Sequence, residues 1–504
     1  MPNDSKLLKS RNGDALAPNR LNLLFLQTPD NSMTSWLRWP SIMKFNRDQA
    51  IRVLRRFLVL FFCVWGLVWL SIRAVEKQPN DRNIVDKFLL AAASVPETVK
   101  LWFSVKSTGL EHQEFVMNTE PGLARLGELS DIQQLNNHLY LLYYRYEGTD
   151  TGSVYLQNIK TGEVAHTWHV PLRKIFADIQ GLKQEVKADF EAQEISVSLH
   201  KRLPNNLAAI RILSPIIGDD MSLIFHCGVL GYMYKLDKKS DLLWKSEELV
   251  HHSIELDDDG NIWTCSVDLR HSLAKNLRFR EDAVLCLDAK GKRLHFYSLS
   301  DMFSNNGLLQ TLLEATPATT MPDGPYRDPY HLNNVLPVKR DGKFWKKGDL
   351  FLSLRDKSAI VQFRPQDGSI VWYQQGPWLA QHDINIVNES TISVFNNNVS
   401  FTSWDWSDIQ GGSSNIAFFN FSDKTTEYFG NGLFVSTTEG RQTQTVDDWI
   451  LVEETNKGRY LFIDSLGNVH CQFYIPYHNE PSHAMSPNWA RLYLKSGSEF
   501  LLQE

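Results

Sequence analysis

The sequence predicts an all-β protein, a six-bladed β-propeller preceded by a single N-terminal transmembrane helix. Two observations lead to this fold class. One is a hairpin pattern that recurs six times, and the other is one uncharged apolar run near the N-terminus. The composition of the 504 residues, with 43% hydrophobic and 22% charged, is that of an ordinary globular protein, so a disordered or fibrous chain is excluded.

Each hairpin has a short aliphatic or aromatic run, a polar turn, and a second apolar run, which is typical of antiparallel strands. The six hairpins begin at Val154, Tyr232, Ala283, Ile360, Ile416 and Tyr460. Their uneven spacing indicates insertions between repeats. Radial stacking of such repeats leaves only short, protected sheet edges, so we expect a propeller domain over residues 131–504.

The apolar run covers residues 57–72 and follows three arginines. We interpret it as a membrane-spanning helix within residues 51–75, slightly shorter than the roughly 20 residues that usually cross hydrocarbon. A buried core helix is the alternative. Residues 1–56 hold ten Lys or Arg against four Asp, and positive flanks stay cytoplasmic. We therefore expect a single-pass membrane protein with a cytoplasmic N-terminus and a periplasmic or extracellular C-terminal domain.

Three segments precede the predicted propeller: a basic cytoplasmic tail over 1–50, the anchor over 51–75, and a linker with helical and strand lead-in over 76–130. Helical spacing predicts one helix over 84–105 and another over 172–192. Residues 1–56 carry a net charge of +6 and the whole chain −6, which leaves −12 for the remainder. Such an acidic domain argues against nucleic acid as a partner.

The five cysteines form no closely spaced pair, so no metal site is expected, and the sequence indicates no cofactor. In an oxidising compartment Cys265 and Cys286 could form a disulfide. The acidic turn at residues 257–260 lacks the length of a calcium loop and fits a hairpin turn better.

Several basic side chains lie at or near the starts of predicted strands, where a propeller would bring them to one central funnel. They are His251, His252, His331, Arg355 and His382. Arg355 is predicted inside an apolar strand, where its charge requires a carboxylate or a ligand anion. Each residue also has a structural interpretation: a hydrogen-bonded histidine, or an Arg355 that pairs with Asp356 or Asp349.

Four passages carry a resemblance to a known family. They are HHSIELDDDGNIW, DPYHLNNVLPV, GDLFLSLRDKSAIVQFRPQDGSIVW, and QHDINIV with the later ISVFNNN. In order and spacing they resemble the arylsulfotransferase family over about residues 220 to 430. Members of that family are six-bladed propellers of exported bacterial proteins, and they move a sulfuryl group between phenols without a nucleotide sulfate donor. One departure is the stretch Phe395, Asn396, Asn397 and Asn398, which stands where the family tends to have an Asp-Asn-Gly turn after the QH strand.

The resemblance implies a role for each candidate. His382 is implied as the nucleophile of a ping-pong reaction, with an aryl sulfate as donor and a phenol as acceptor. His331 and His252 are implied as catalytic acid or base, and Arg355 as the ligand of the sulfuryl oxygens. His251 and Asn333 are assigned to substrate binding, with Asn333 orienting one imidazole. The alternative function is a non-catalytic propeller that binds a ligand or protein partner at the cell envelope.

Overall fold

The structure is a computed structural model, and it describes residues 116–118, 123–148, 150–190, 204, 206–228, 230–269, 271, 279–314, 328–399, 413–477 and 480–503. All of them belong to the second of two compact units, Leu110–Glu504. The predicted tail, the anchor at 57–72 and the helix at 84–105 lie outside the described residues. None of the helices within the described ranges is both long and apolar enough to cross a membrane.

The domain is built almost entirely of strands. The first seven are β1 (Val116–Asn118), β2 (Ala124–Arg125), β3 (Leu139–Gly148), β4 (Thr151–Asn158), β5 (Val164–His169), β6 (Ile212–Ile217) and β7 (Leu223–Cys227). The next nine are β8 (Gly231–Leu236), β9 (Leu242–Leu256), β10 (Ile262–Val267), β11 (Asp282–Leu287), β12 (Arg293–Ser298), β13 (Leu332–Pro337), β14 (Leu350–Leu354), β15 (Ala359–Arg364) and β16 (Ser369–Gln375). The remainder are β17 (His382–Asn388), β18 (Thr391–Asn396), β19 (Ser414–Asn420), β20 (Thr425–Phe434), β21 (Arg441–Gln444), β22 (Ile450–Glu454), β23 (Arg459–Ile463), β24 (Val469–Tyr474), β25 (Pro476–Tyr477), β26 (Glu480–Met485), β27 (Arg491–Ser496) and β28 (Glu499–Leu502).

The sheets have a propeller-like arrangement. Strands β13–β16 form one four-stranded sheet, and β17–β20 form another. Strands β21–β24 take β2 as a parallel fifth strand, and β3–β5 pair with β27 and β28 from the other end of the domain. Strands β6–β12 form one continuous seven-stranded sheet, and β1, β25 and β26 form a small separate one. Within the seven-stranded sheet β6 contacts β9, and between sheets β9 contacts β13, β13 contacts β17, and β17 contacts β21.

All six predicted hairpins are confirmed, as β4–β5, β8–β9, β11–β12, β15–β16, β19–β20 and β23–β24. The helix predicted over 172–192 is α1 (Leu172–Phe190), and two short helices follow, α2 (Leu299–Asn305) and α3 (Leu309–Leu313). Single 3₁₀ turns occur at Leu207–Ala209, Arg355–Lys357 and Thr455–Lys457. The acidic turn is indeed a hairpin turn, because Asn261 O accepts from Asp257 N between β9 and β10.

The hydrophobic core lies between neighbouring sheets and beneath the helices. Phe303 of α2 and Val284 of β11 pack in one cluster with Leu332, Leu352 and Val361 of the next sheet. All five side chains are fully buried. Burial of apolar area of this kind, at about 25 cal/mol per Å², is the main favourable term that holds adjacent sheets together.

Buried ion pairs connect strands of different sheets. Arg491 of β27 forms two hydrogen bonds with the carboxylate of Glu255 on β9, at 2.8 and 2.9 Å. Arg441 of β21 lies 3.4 Å from Asp383 of β17. Because each pair joins strands of different sheets, loss of one partner would leave a buried charge uncompensated.

The cysteine prediction is wrong in this structure. Cys265 and Cys286 are both free and buried, and each pairs across the β10–β11 ladder with a different residue, Val284 and Trp263 respectively. Their offset by two positions along adjacent strands separates the two thiols, so the strand register itself prevents the disulfide.

Candidate active site

His331 lies directly before β13, His382 opens β17 and His252 lies within β9, and the backbone at or beside each of them is irregular. His252, His331 and Asp383 have positive φ angles of 59°, 50° and 50°. The ladder also shifts register beside each of these residues, as in a β-bulge. Positive φ is uncommon outside glycine, and bulges redirect side chains next to active sites. The irregular backbone therefore marks the segments around His252, His331 and Asp383 as places where side chains are redirected.

His382 is fully buried at the first position of β17. Its Nδ1 lies 2.6 Å from Oδ1 of Asn397, whereas its Nε2 is buried and has no hydrogen-bond partner among the described residues. Burial lowers the pKa of His382 well below its usual value, and the charge of Arg355 lowers it further. At neutral pH the ring is therefore uncharged, with one nitrogen available to a ligand.

His331 lies directly before β13, between a carboxylate and a guanidinium. Its Nδ1 lies 2.8 Å from Oδ2 of Asp328, and its Nε2 lies 3.2 Å from Nη1 of Arg355. Burial lowers the pKa of His331 to about 4, and the charge of Arg355 acts in the same direction. This ring is also neutral at physiological pH, although the neighbouring carboxylate of Asp328 raises its pKa and so opposes the effect of burial and Arg355.

Arg355 does not lie inside a strand, so that prediction is wrong. Strand β14 ends at Leu354, and Arg355 begins the 3₁₀ turn that follows. Its backbone N–H donates to the carbonyl of His331 at 3.1 Å, and Nη1 lies 3.5 Å from Asp356. The other carboxylate considered, Asp349, pairs with Arg364 instead. The turn brings the guanidinium to the end of the strand, next to His331.

His251 and His252 do not open a strand as predicted, because they lie within the 15-residue strand β9. Nδ1 of His251 lies 2.6 Å from Nδ1 of His252, and Nε2 of His251 lies 3.1 Å from the carbonyl of Ser266. The ring of His252 is 4.9 Å from the ring of His331. Burial lowers the pKa of His252 well below its usual value, and the neighbouring His331 contributes. His252 therefore contacts His331, whereas His251 contacts His252 and the backbone of β10.

Asn333 contacts the backbone rather than an imidazole. Its Nδ2 donates to the carbonyl of Gln381 at 2.8 Å, immediately before His382. Its Oδ1 is buried and has no hydrogen-bond partner within the described part of the chain. Asn333 thus links β13 to the start of β17, and its oxygen remains available to a donor.

Two further residues at the site were missed by sequence reasoning. The indole ring of Trp489 lies 6.1 Å from the ring of His382 and 6.2 Å from that of His252. Trp489 has a positive φ of 59°, and the carboxylate of Glu453 accepts from its backbone N–H. Asn397, the partner of His382, lies in the asparagine turn. No local pattern singles out Trp489, but the unusual turn was a visible signal for Asn397.

The structure thus brings His252, His331 and Arg355 into direct contact, with His382 next to them across Trp489. The charge of Arg355 acts on the pKa of both His331 and His382. Within the described residues no group of three His, Cys, Asp or Glu could hold a metal ion. The arrangement offers neutral imidazoles beside a guanidinium, which suits a tetrahedral anion.

The solved structures that match this chain are remote in sequence, and their TM-scores are low. A protein of unknown function from Bacteroides caccae shares 10% identity at a TM-score of 0.40, and the match covers 69% of this chain and 97% of that one. A periplasmic gluconolactonase from Pseudomonas aeruginosa shares 11% at 0.35, with 70% and 99% covered. Virginiamycin B lyase from Staphylococcus aureus shares 12% at 0.32, with 58% and 83% covered. The chain matches no curated protein sequence at a significant level.

One family profile does match, and its description is Arylsulfotransferase (ASST). The match runs over residues 219–475, which is about half of the chain, and it includes His252, His331, Arg355 and His382. The protein therefore belongs to the arylsulfotransferase family.

Proposed function

We propose that this protein is an aryl sulfotransferase that moves a sulfuryl group from an aryl sulfate to a phenol through an adduct on His382. One observation carries the proposal. A buried, neutral His382 keeps Nε2 without a hydrogen-bond partner in the described part of the chain, in a site that also holds Arg355 and His331. Family membership supports the same reaction class.

The first half-reaction forms a bond between Nε2 of His382 and sulfur while the aryl oxygen–sulfur bond breaks, and its electron pair leaves with the phenolate. Charge in such a loose transition state lies on the equatorial and leaving oxygens. The planar fork of Arg355 can donate to two of those oxygens. In the second half-reaction a phenol oxygen attacks sulfur and releases the imidazole, which predicts ping-pong kinetics.

The acceptor phenol must lose its proton during that second step. The pKa of His331 is lowered to about 4 and that of His252 is also well below its usual value, so both rings are neutral and able to accept a proton. We assign the base role to His252 or His331. A good leaving group such as nitrophenolate needs no acid in the first step.

The direct test is incubation with nitrophenyl sulfate and a phenol acceptor. We expect release of nitrophenol, and mass spectrometry after donor treatment alone should find a sulfuryl group on His382. His382→Ala should abolish both signals. A matched control is His470→Ala, because His470 lies on β24 stacked against Trp449, away from the site. Unchanged nitrophenol release from His382→Ala would refute the mechanism, and a folded protein without turnover or adduct would favour a binding propeller.

We also propose that the domain has six blades. The seven-stranded sheet supports this count, because β9 pairs with β8 through residues 242–250 and with β10 through residues 250–256. One long strand would thus serve as the last strand of one blade and the first of the next. If the seven-stranded sheet is divided at β9 into two blades, the domain has six sheets around its centre.

We further propose a single-pass anchor at residues 57–72, a cytoplasmic N-terminus and an exported domain. This rests on the apolar run and the basic residues before it. Protease treatment of intact cells or spheroplasts should digest the C-terminal domain and leave a short membrane-bound fragment. Complete protection of the domain would reverse the proposed orientation.

A further inference from the structure

We propose that Asn397 is a positioning residue for the nucleophile: it holds the proton of His382 on Nδ1 and thereby keeps the lone pair of Nε2 available for attack on sulfur. The inference rests on the proposed function for its chemistry, but its first step concerns the resting protein alone. Asn397 is fully buried and follows β18 directly. Its side chain makes three hydrogen bonds, one to His382 and two to backbone.

The orientation of the Asn397 amide is determined by its backbone contacts. Nδ2 donates to the carbonyl of Ser436 at 2.7 Å and to the carbonyl of Glu439 at 3.0 Å. Only the NH₂ group can face two carbonyl oxygens, since the reverse orientation would place Oδ1 against both acceptors. Oδ1 must therefore face His382, where it lies 2.6 Å from Nδ1.

An amide oxygen can only accept, so Nδ1 of His382 is the donor in this contact. A neutral imidazole carries a single N–H, and Nε2 is then the nitrogen with the lone pair. This agrees with the absence of any hydrogen-bond partner for Nε2 among the described residues. The tautomer that sulfuryl transfer needs is thus selected before a substrate binds.

The remaining asparagines brace the turn that holds Asn397. Oδ1 of Asn396 accepts from the backbone N–H of Leu379, and Nδ2 of Asn398 donates to the carbonyl of Ser413. Asn398 adopts a positive φ of 58°, which asparagine tolerates better than most residues. The position of Asn397 relative to His382 is set by its own two hydrogen bonds to backbone carbonyls, which do not involve the side chain at position 398.

A neutral partner also suits both halves of the reaction. When Nε2 binds sulfur, Nδ1 keeps its proton and the ring becomes cationic, so the hydrogen bond to Oδ1 strengthens. A carboxylate at this position would favour the cationic ring more strongly. It would raise the pKa of the resting His382, so that the ring would stay protonated up to a higher pH. It would also make the imidazole a poorer leaving group in the second half-reaction. The amide supplies orientation without that penalty.

The test compares Asn397→Ala and Asn397→Asp with Asn398→Gly, a control that removes one side-chain hydrogen bond from the same turn and suits the positive φ. Nitrogen-15 NMR of histidine-labelled protein, without substrate, reports which nitrogen of His382 carries the proton, with His382→Gln to assign the signal. We expect Nδ1–H in the wild type and in Asn398→Gly. Asn397→Ala should lose this preference and form the adduct roughly 10- to 100-fold more slowly.

Asn397→Asp should raise the pH at which His382 loses its ring proton and slow transfer from the adduct to the phenol, so that the adduct accumulates. A merely structural role would leave the tautomer unchanged in every folded variant. The inference is overturned if wild-type His382 carries its proton on Nε2, or if folded Asn397→Ala forms the adduct at the wild-type rate. Nδ1–H in a wild type that forms no adduct would refute the proposed function and leave the positioning of the ring intact.

Discussion

Nη1 of Arg355 lies 3.2 Å from Nε2 and 3.4 Å from Nδ1 of His331. A group in line with the lone pair of one ring nitrogen could not be almost equally close to the other. Nη1 therefore lies over a face of the imidazole ring, while Asp328 binds the ring edge at Nδ1. This close contact explains why the charge of Arg355 lowers the pKa of His331, in addition to burial.

Replacement of Arg355 by lysine should therefore impair catalysis although the charge is kept. A lysine ammonium cannot stack on His331 and donate to two sulfuryl oxygens at once. We expect Arg355→Lys to slow adduct formation roughly 100-fold, as for loss of one transition-state donor. Stopped-flow release of nitrophenol measures this step. Arg364→Lys is the matched control, since Arg364 is paired with Asp349; equal losses in the two variants would contradict the prediction.

The pH dependence of adduct formation should reflect the lowered pKa of His382. The attacking ring must be neutral, and burial together with Arg355 keeps it neutral well below pH 6.5. We expect the rate to fall only at pH values clearly below 6.5. Arg355→Met should move the midpoint of this fall in rate to a higher pH, closer to 6.5, because it removes the neighbouring charge. A midpoint at or above pH 6.5 for the fall in the wild-type rate would show that His382 is not held neutral.

Protein stability should also depend on His331. Its pKa is about 4 in the folded state and near 6.5 when unfolded, so the unfolded chain binds the proton first as the pH falls. Above pH 6.5 the ring is neutral in both states, so it does not change the free energy of unfolding with pH. Between pH 6.5 and pH 4 the unfolded chain binds a proton that the folded protein excludes, so the free energy of unfolding falls progressively. Relative to His331→Asn, the wild type should lose about 3 kcal/mol of unfolding free energy between pH 7 and pH 4. Denaturant titrations of both proteins at each pH measure this, and parallel curves would disprove it.

The Glu255–Arg491 pair should be strongly coupled. Glu255→Ala leaves a fully buried guanidinium without its carboxylate, and we expect a loss of about 3–5 kcal/mol in unfolding free energy. Replacement of both residues by apolar ones, as in Glu255→Leu with Arg491→Met, should cost much less, because no charge then remains buried. Chemical denaturation of Glu255→Leu, of Arg491→Met and of the double variant completes the cycle. Additive losses would mean that the pair does not connect β9 and β27 energetically.

Much of the fold was accessible from local sequence patterns. The six hairpins were predicted because alternating apolar runs and polar turns act over a few residues, and all six are present. Strand ends were less predictable. Arg355 continues an apolar run, yet its backbone N–H bonds to His331 and ends the strand. His251 and His252 lie within β9 because that strand pairs with two neighbours, which no local pattern reveals.

The sequence by itself determined the all-β class, the hairpins and the residue types that suit sulfuryl transfer, since these depend on local periodicity and on the chemistry of His and Arg. Only the tertiary structure decided which of them meet. Asn397 contacts His382 across 15 positions, and Trp489 approaches the same ring from the far end of the domain. The physical reason is that packing between sheets and buried hydrogen bonds set these distances. Side chains far apart in the sequence become neighbours only when the sheets close around a common centre.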